Sequence, residues 1–160
     1  AWCRGAELKI NGEKVDIVPL IEKGYAYIKR VWRKGDQVEL FFPMPVERIK
    51  AHPQVRANAG KVALQRGPIV YCLEEVDNGP NLPNLFLPRD AKLQAHFEPE
   101  LLEGVVVITG LAERVDESAW DDELYWAIEP QMYEVPFQAI PYYAWCNRGE
   151  GEMMVWIHER

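Results

Sequence analysis

The groups that could do chemistry in this chain are few, and their spacing limits what they could do. Cys72 and Glu74 lie two apart in Ile69-Val70-Tyr71-Cys72-Leu73-Glu74-Glu75, an apolar run rich in β-branched residues. Alternate residues of a strand share a face, so this thiol and this carboxylate could meet. A nucleophilic thiol needs its pKa lowered by a cation, a metal or a helix N-terminus, and the adjacent sequence supplies none. Core packing is therefore the reading of Cys72. The acidic pairs Glu74-Glu75 and Asp121-Asp122 invite a glycosidase or calcium reading. Glycoside hydrolysis needs two carboxyls facing each other across a sugar, whereas neighbours on a strand point to opposite faces. Residues 121–123 also lack the alternating acidic loop of a calcium site, so solvated charge is the simpler account. His52, His96 and His158 are far apart and in no ligand-type spacing. Cys3, Cys72 and Cys146 form neither a zinc motif nor a disulfide framework.

Aromatic side chains are the richest raw material. Six Trp and seven Tyr include clusters at Tyr25/Tyr27/Trp32, Trp120/Tyr125/Trp126 and Tyr142/Tyr143/Trp145. Exposed rings of this kind can stack on sugars, which makes Trp120, Trp126, Tyr142, Tyr143 and Trp145 candidate carbohydrate or interface contacts. Rings that fill a core or an interface are the competing reading.

Composition narrows the classes further. The chain has 160 residues, 48% hydrophobic and 27% charged, with a net charge of −7. That is a globular composition. An acidic chain is a poor partner for nucleic acid, and no run approaches the ~18–20 apolar residues of a membrane helix. Sparse cysteines without a disulfide framework point to a reducing, cytoplasmic setting, whereas the lack of an apolar leader segment at Ala1-Trp2-Cys3-Arg4 says little. The chain opens without Met and enters a strand-like run almost at once, so a portion of something longer is expected. Residues 1–78 carry 13 Lys/Arg against 10 Asp/Glu, and residues 79–160 carry 5 against 15. Two differently solvated surfaces account for that division, and two structural units with opposite charge balance also fit it.

The elements that would position these groups read as strands. Twelve prolines discourage helices; only a short helix led by Ser118, running through Asp121 to Trp126, is predicted. Ala6–Ile10 alternates, Asn11-Gly12 signals a hairpin, and Glu13–Val18 follows. Tyr25–Trp32, Val38–Phe42, Val46–Ala51, Val62–Arg66 and Ile69–Leu73 continue the pattern. Asn78-Gly79-Pro80-Asn81-Leu82-Pro83-Asn84 has turn or linker chemistry. Leu93–Phe97, Gly104–Thr109, Gln138–Ile140 and Met153–Ile157 complete the set. Strands every 8–12 residues with turn signals between them favour a β-sandwich or a distorted barrel. The prediction is an all-β fold of sandwich type in two packed units, 1–78 and 79–160, with strand 153–157 returning to the first.

Several segments together resemble the C-terminal portion of glycoside hydrolase family 127, the β-L-arabinofuranosidases. They are Leu8-Lys9-Ile10-Asn11-Gly12-Glu13 after Trp2-Cys3; Gly24-Tyr25-Ala26-Tyr27-Ile28 with Trp32 and Lys34-Gly35-Asp36; and Pro43-Met44-Pro45. The more specific blocks are Ala63-Leu64-Gln65-Arg66-Gly67-Pro68 running into Ile69–Glu74, and Ile140-Pro141-Tyr142-Tyr143-Ala144-Trp145 with Asn147-Arg148-Gly149 and Met153-Val155-Trp156. The resemblance spans residue 1 to about 158.

The resemblance implies that an N-terminal (α/α)6 barrel of the parent holds the chemistry, with a zinc-held cysteine nucleophile near a Cys-Cys pair. This chain has no Cys-Cys pair. No catalytic, cofactor-binding or metal-ligating residue is assigned here, and the chain alone is expected to be inactive. The expected partners are the parent's own (α/α)6 barrel and a second copy in a homodimer, with no nucleic acid and no membrane. The first sandwich is expected to be incomplete, with open strand edges and exposed apolar surface. A free-standing carbohydrate-binding module using the exposed aromatics is the alternative.

Overall fold

The computed structural model of the chain describes residues 2–160 apart from Ala119, Asp121, Asp122 and Ile128. It forms two compact units, divided between Pro45 and Val46.

The first unit is built on short antiparallel ladders. Strand β1 (Glu7–Ile10) lies between β2 (Glu13–Val15) and β5 (Val38–Phe41), while β3 (Ile21–Glu22) and β4 (Tyr25–Ala26) form a separate hairpin. The Asn11-Gly12 hairpin signal holds: Asn11 and Gly12 have φ of 53° and 82°, the positive pair that a type I′ turn requires. The Asn11 side chain then staples the next turn. Its Nδ2 donates to Asp36 at 2.9 Å, and its Oδ1 accepts from the Gln37 backbone N–H at 2.8 Å. Leu8 and Ile10 are buried on one face of the sheet, with Leu8 opposite Leu40 and Ile10 opposite Val38. On edge strand β5, Val38, Leu40 and Phe41 stay exposed. Only Tyr25–Ala26 of the predicted strand Tyr25–Trp32 is paired. Its remaining apolar residues have no ladder to join.

The second unit is a closed circuit of strands. Its elements are β6 (Val46–Ile49), β7 (Lys61–Arg66), β8 (Ile69–Glu74), β9 (Leu85–Leu87), β10 (Gln94–Glu98), β11 (Val105–Val115), β12 (Met132–Pro141), β13 (Met153–Met154) and β14 (Ile157–Glu159). Pairing runs β8–β12–β11–β9–β14–β7 and returns from β7 to β8. Every link is antiparallel except β9–β14, which is parallel. Strands β6, β10 and β13 extend the ring outward on β7, β11 and β8. The all-β expectation therefore holds. In this unit the distorted-barrel form of the two allowed architectures replaces a pair of stacked sheets.

The interior of the ring is filled from all six of its strands. Val62, Leu64, Tyr71, Leu73, Leu85, Leu87, Ile108, Ala112, Phe137, Ala139 and Ile157 pack into one cluster. Side chains at odd positions on β8 and β12 point into it, as period-2 alternation requires. Their even-numbered neighbours Cys72 and Ile140 point outward and meet Val105, Val107 and Ala144 in a second cluster. Continuous apolar runs in β8 and β11 are thus strands covered on both faces. Glu159 secures β14: its carboxylate accepts from Lys50 at 2.7 Å and Arg48 at 3.2 Å, and these cations hold its pKa below the ordinary range.

The division at Pro45–Val46 corrects the predicted boundary at 78–79. Strands β7 and β8 belong to the same ring as β9, β11 and β12, so a cut at 78 would open it. The segment with linker chemistry is a strap instead. The Asn78 side chain bridges β8 and β12, donating to the Glu74 and Gln138 carbonyls and accepting from the Gln138 N–H at 3.0 Å. Buried Arg114 donates to the backbone carbonyls of Asn78 at 2.7 Å and Pro80 at 2.9 Å. Strand β14 pairs with β7 and β13 with β8, and both partners lie in the second unit. The short helix predicted after Ser118 falls on Asp121 and Asp122, which lie outside the described residues.

Candidate functional site

The outward face of β8 carries the most concentrated polar chemistry in the second unit. Cys72 and Glu74 share that face, as the spacing predicts, and both are buried. Glu74 is neutralised from the chain that follows β12. Its Oε1 accepts from the Cys146 backbone N–H at 2.8 Å, and its Oε2 accepts from the Arg148 guanidinium at 2.5 Å. Arg148 also grips both oxygens of Asp77, on the single helical turn α1 (Glu75–Asn78), at 2.7 and 2.5 Å. Two carboxylates on a single arginine raise its pKa further, Asp77 contributing more than Glu74. A fork-shaped cation shared by two acids is a rigid, charge-assisted arrangement.

Cys72 has no activating neighbour. Burial, and then the negative charge of Glu74, push its thiol up to about 12. Such a thiol is protonated at neutral pH and is a poor nucleophile. Cys146 is exposed and Cys3 half-buried, and all three are free thiols. Alkylation by iodoacetamide of the folded chain at about pH 7.5 should therefore label Cys146 and spare Cys72. Fast modification of Cys72 under native conditions would contradict this burial.

The acidic pair Glu74-Glu75 diverges. Glu75 turns to residues 151–152, where its Oε2 accepts from the Glu152 N–H at 2.9 Å. The Glu152 carboxylate in turn accepts from the Leu82 N–H at 2.7 Å. Neither acid faces an open cleft with a second carboxyl across it. His96 pairs with Glu98 at 2.9 Å, His158 packs against Phe86 with ring centroids 5.5 Å apart, and His52 sits before β7. Among the described residues no three His, Cys, Asp or Glu side chains gather to hold a metal ion.

These contacts fix the 142–152 segment, which carries three of the predicted aromatics. Tyr142 and Trp145 are stacked, with centroids 6.0 Å apart and planes 26° apart, and both remain exposed beside the more exposed Tyr143. Trp145 and Tyr142 thus make a two-ring platform on a loop anchored by Arg148. The other predicted pair, Trp120 and Trp126, is tilted at 5.4 Å. Trp120 is half-buried and Trp126 exposed. Trp120 borders a groove of about 570 Å³ lined also by Asn81, Asn84, Phe86 and Glu117. There Glu117 accepts from the side-chain amides of both Asn81 and Asn84 at 2.7 Å.

The sequence did not point to Arg148, Asp77, Glu152 or Arg114 as anchors. Arg148 stands 74 and 71 positions from its acidic partners, and nothing local marks a pairing over that distance.

Comparison with known proteins accords with the two-unit division. Residues 46–158 match the glycoside hydrolase family 127 C-terminal domain, and residues 1–44 match the "Beta-L-arabinofuranosidase, GH127 middle domain". The chain is 39% identical, over 96% of its length, to a "Non-reducing end beta-L-arabinofuranosidase" of Bifidobacterium longum subsp. longum, of which it covers 24%. It is 85% identical to a crystal structure of a GH127 beta-L-arabinofuranosidase from Geobacillus stearothermophilus T6, with a TM-score of 0.96, covering 99% of this chain and 25% of that one. A further solved structure, a GH127 beta-arabinofuranosidase, is 38% identical with a TM-score of 0.85, covering 98% of this chain and 23% of that one. The chain thus spans about a quarter of the length of these relatives. With its C-terminal-domain match covering most of the residues and its fold shared throughout, the chain belongs to glycoside hydrolase family 127.

Proposed function

We propose that this chain is the non-catalytic C-terminal region of a β-L-arabinofuranosidase-like glycoside hydrolase. It supports an (α/α)6 catalytic barrel supplied by the rest of the parent and carries oligomer contacts. The parent would release terminal β-linked L-arabinofuranose, using a zinc-held thiolate outside this chain. One observation carries the reading. The thiol that lies beside a carboxylate, Cys72, is buried and pushed up to about 12, the opposite of what a nucleophile requires. Free thiols at three separate positions support a reducing, cytoplasmic location for the parent.

A second reading rests on the exposed stacked pair Tyr142 and Trp145: a carbohydrate-binding surface for arabinan chains. One experiment addresses both. The chain is incubated with a chromogenic β-L-arabinofuranoside, and separately titrated with arabinan oligosaccharides while tryptophan fluorescence is followed. The expected result is no chromophore release above buffer and no saturable fluorescence change. Release above background overturns the non-catalytic reading. Saturable quenching that Trp145→Ala abolishes establishes the second.

A further inference from the structure

The strand directions of the second unit bring several strand ends to one place. Strand β7 starts where its antiparallel neighbours β6 and β14 end, and β9, parallel to β14, ends beside it. The side chains delivered there are mostly cationic: Lys50 just after β6, Lys61 opening β7 and Arg89 just after β9. With His52, Asn58 and Glu159 they line a pocket of about 360 Å³. Glu159 is the carboxylate in its wall, and it is already satisfied. Its side chain is 7% exposed, with Arg48 at 3.2 Å, Lys50 at 2.7 Å and Arg89 at 3.6 Å. Those three ion pairs leave out Lys61. Its register neighbour is His158, whose imidazole is held below its ordinary pKa by burial and then by the Lys61 charge. His52 adds a donor, because its Nδ1 accepts from the Gln54 backbone N–H at 3.2 Å, which leaves the proton of the neutral ring on Nε2. Four cations thus gather around one carboxylate, on a chain whose net charge is −7.

A concave site lined by one sign of charge concentrates the opposite ion, and a pocket of this size with converging polar groups is of the kind that takes a small molecule. Lysine binds phosphate as a point charge and arginine as a fork. The excess of cations favours a dianion over a monoanion, and a phosphate monoester carries roughly −1.5 to −2 at pH 7. We propose that this pocket binds a phosphate dianion, free or as the monoester of a sugar-sized molecule, between Lys50, Lys61 and Arg89. The bound phosphate bridges the ends of β6, β7 and β9 around β14, and so fastens the strand that closes the ring.

The test is isothermal titration calorimetry of the chain at about pH 7.5, above the second phosphate pKa of about 6, with ionic strength held constant. The probes are orthophosphate, glucose 6-phosphate and glucuronate. A phosphate probe should bind saturably, and glucuronate, a monoanion, roughly tenfold or more weakly. Saturating phosphate should also raise the melting temperature, since a ligand of the folded state stabilises it. Lys61→Gln and Arg89→Gln should each weaken phosphate binding roughly tenfold, the scale of one hydrogen bond to a charged group. Lys14→Gln, the same charge change in the first unit, should leave it unchanged, and circular dichroism confirms that each variant is folded. If Lys61→Gln fails to fold, Arg89→Gln still decides, because that side chain is 76% exposed. Binding of orthophosphate alone supports the site with free phosphate as its source, and tighter binding of glucose 6-phosphate supports it with a monoester. No saturable heat with either phosphate, equal affinity for glucuronate, affinity unchanged in the pocket variants, or an equal loss in Lys14→Gln overturns the proposal.

Discussion

Arg148→Ala is expected to destabilise the second unit by about 3–5 kcal/mol, the cost of stripping one partner from a buried ion cluster. Glu74 is 5% exposed. Without the guanidinium it keeps only the Cys146 N–H as a partner for its charge, and Asp77 loses both of its hydrogen bonds. The removed group ties the 142–152 segment to β8 and α1, so lost anchoring adds to lost charge compensation. Urea unfolding should show the loss directly, and melting should fall by roughly 10 °C. A companion variant separates the causes. Arg148→Ala combined with Glu74→Gln leaves no uncompensated charge at that position and should cost clearly less than the sum of the two single changes. Strict additivity would mean that Arg148 acts through packing alone.

Phe137→Ala is expected to cost about 3–5 kcal/mol, within the range for deleting a buried aromatic side chain. Phe137 is 2% exposed and sits in the central cluster of the ring. It faces Gly110, its register partner on β11, across a gap that no other residue type would leave: a Cβ at Gly110 would stand 3.0 Å from the Phe137 ring and 2.9 Å from the Lys92 carbonyl oxygen. The ring lies over the bare backbone of the neighbouring strand, so truncating it leaves a cavity that Gly110 cannot fill. Thermal and urea unfolding should agree on the loss. A change below about 1 kcal/mol, the size of an average substitution, would show that the cluster closes over the gap.

How much of this was legible in the residues can be judged element by element. Strands β7 and β8 stand almost where the apolar runs place them, and the Asn11-Gly12 turn has the backbone its dipeptide demands. These features are local, and local chemistry fixes them. Strand β12 runs to Met132–Pro141, well beyond the predicted Gln138–Ile140. Pro136 hid its first half, since proline normally interrupts a ladder. Strand β9 went unseen between Pro83 and Pro88 because three residues carry no readable period. The unit boundary failed for a related reason. Turn-forming residues at 78–84 announce a change of direction, and only distant partners such as Arg114, Gln138 and Glu152 reveal that the turn is fastened into the ring. At the candidate site, alternation placed Cys72 and Glu74 together. The cation that compensates Glu74 lies more than seventy positions away, and no sequence period records it.

The parallel β9–β14 link has a consequence for synthesis on the ribosome. Residues 61–74 and 105–141 can each form hairpins as soon as they emerge, because their partners are neighbours in the chain. The gap between β9 and β7 stays open until residue 159 has emerged, since β14 alone spans it. Until then Val62, Leu85 and Leu87, all sealed in the finished ring, face water or whatever chaperone is at hand. Closure over so long a loop is slow. The nascent chain is therefore most vulnerable to aggregation and proteolysis in the interval before β14 emerges.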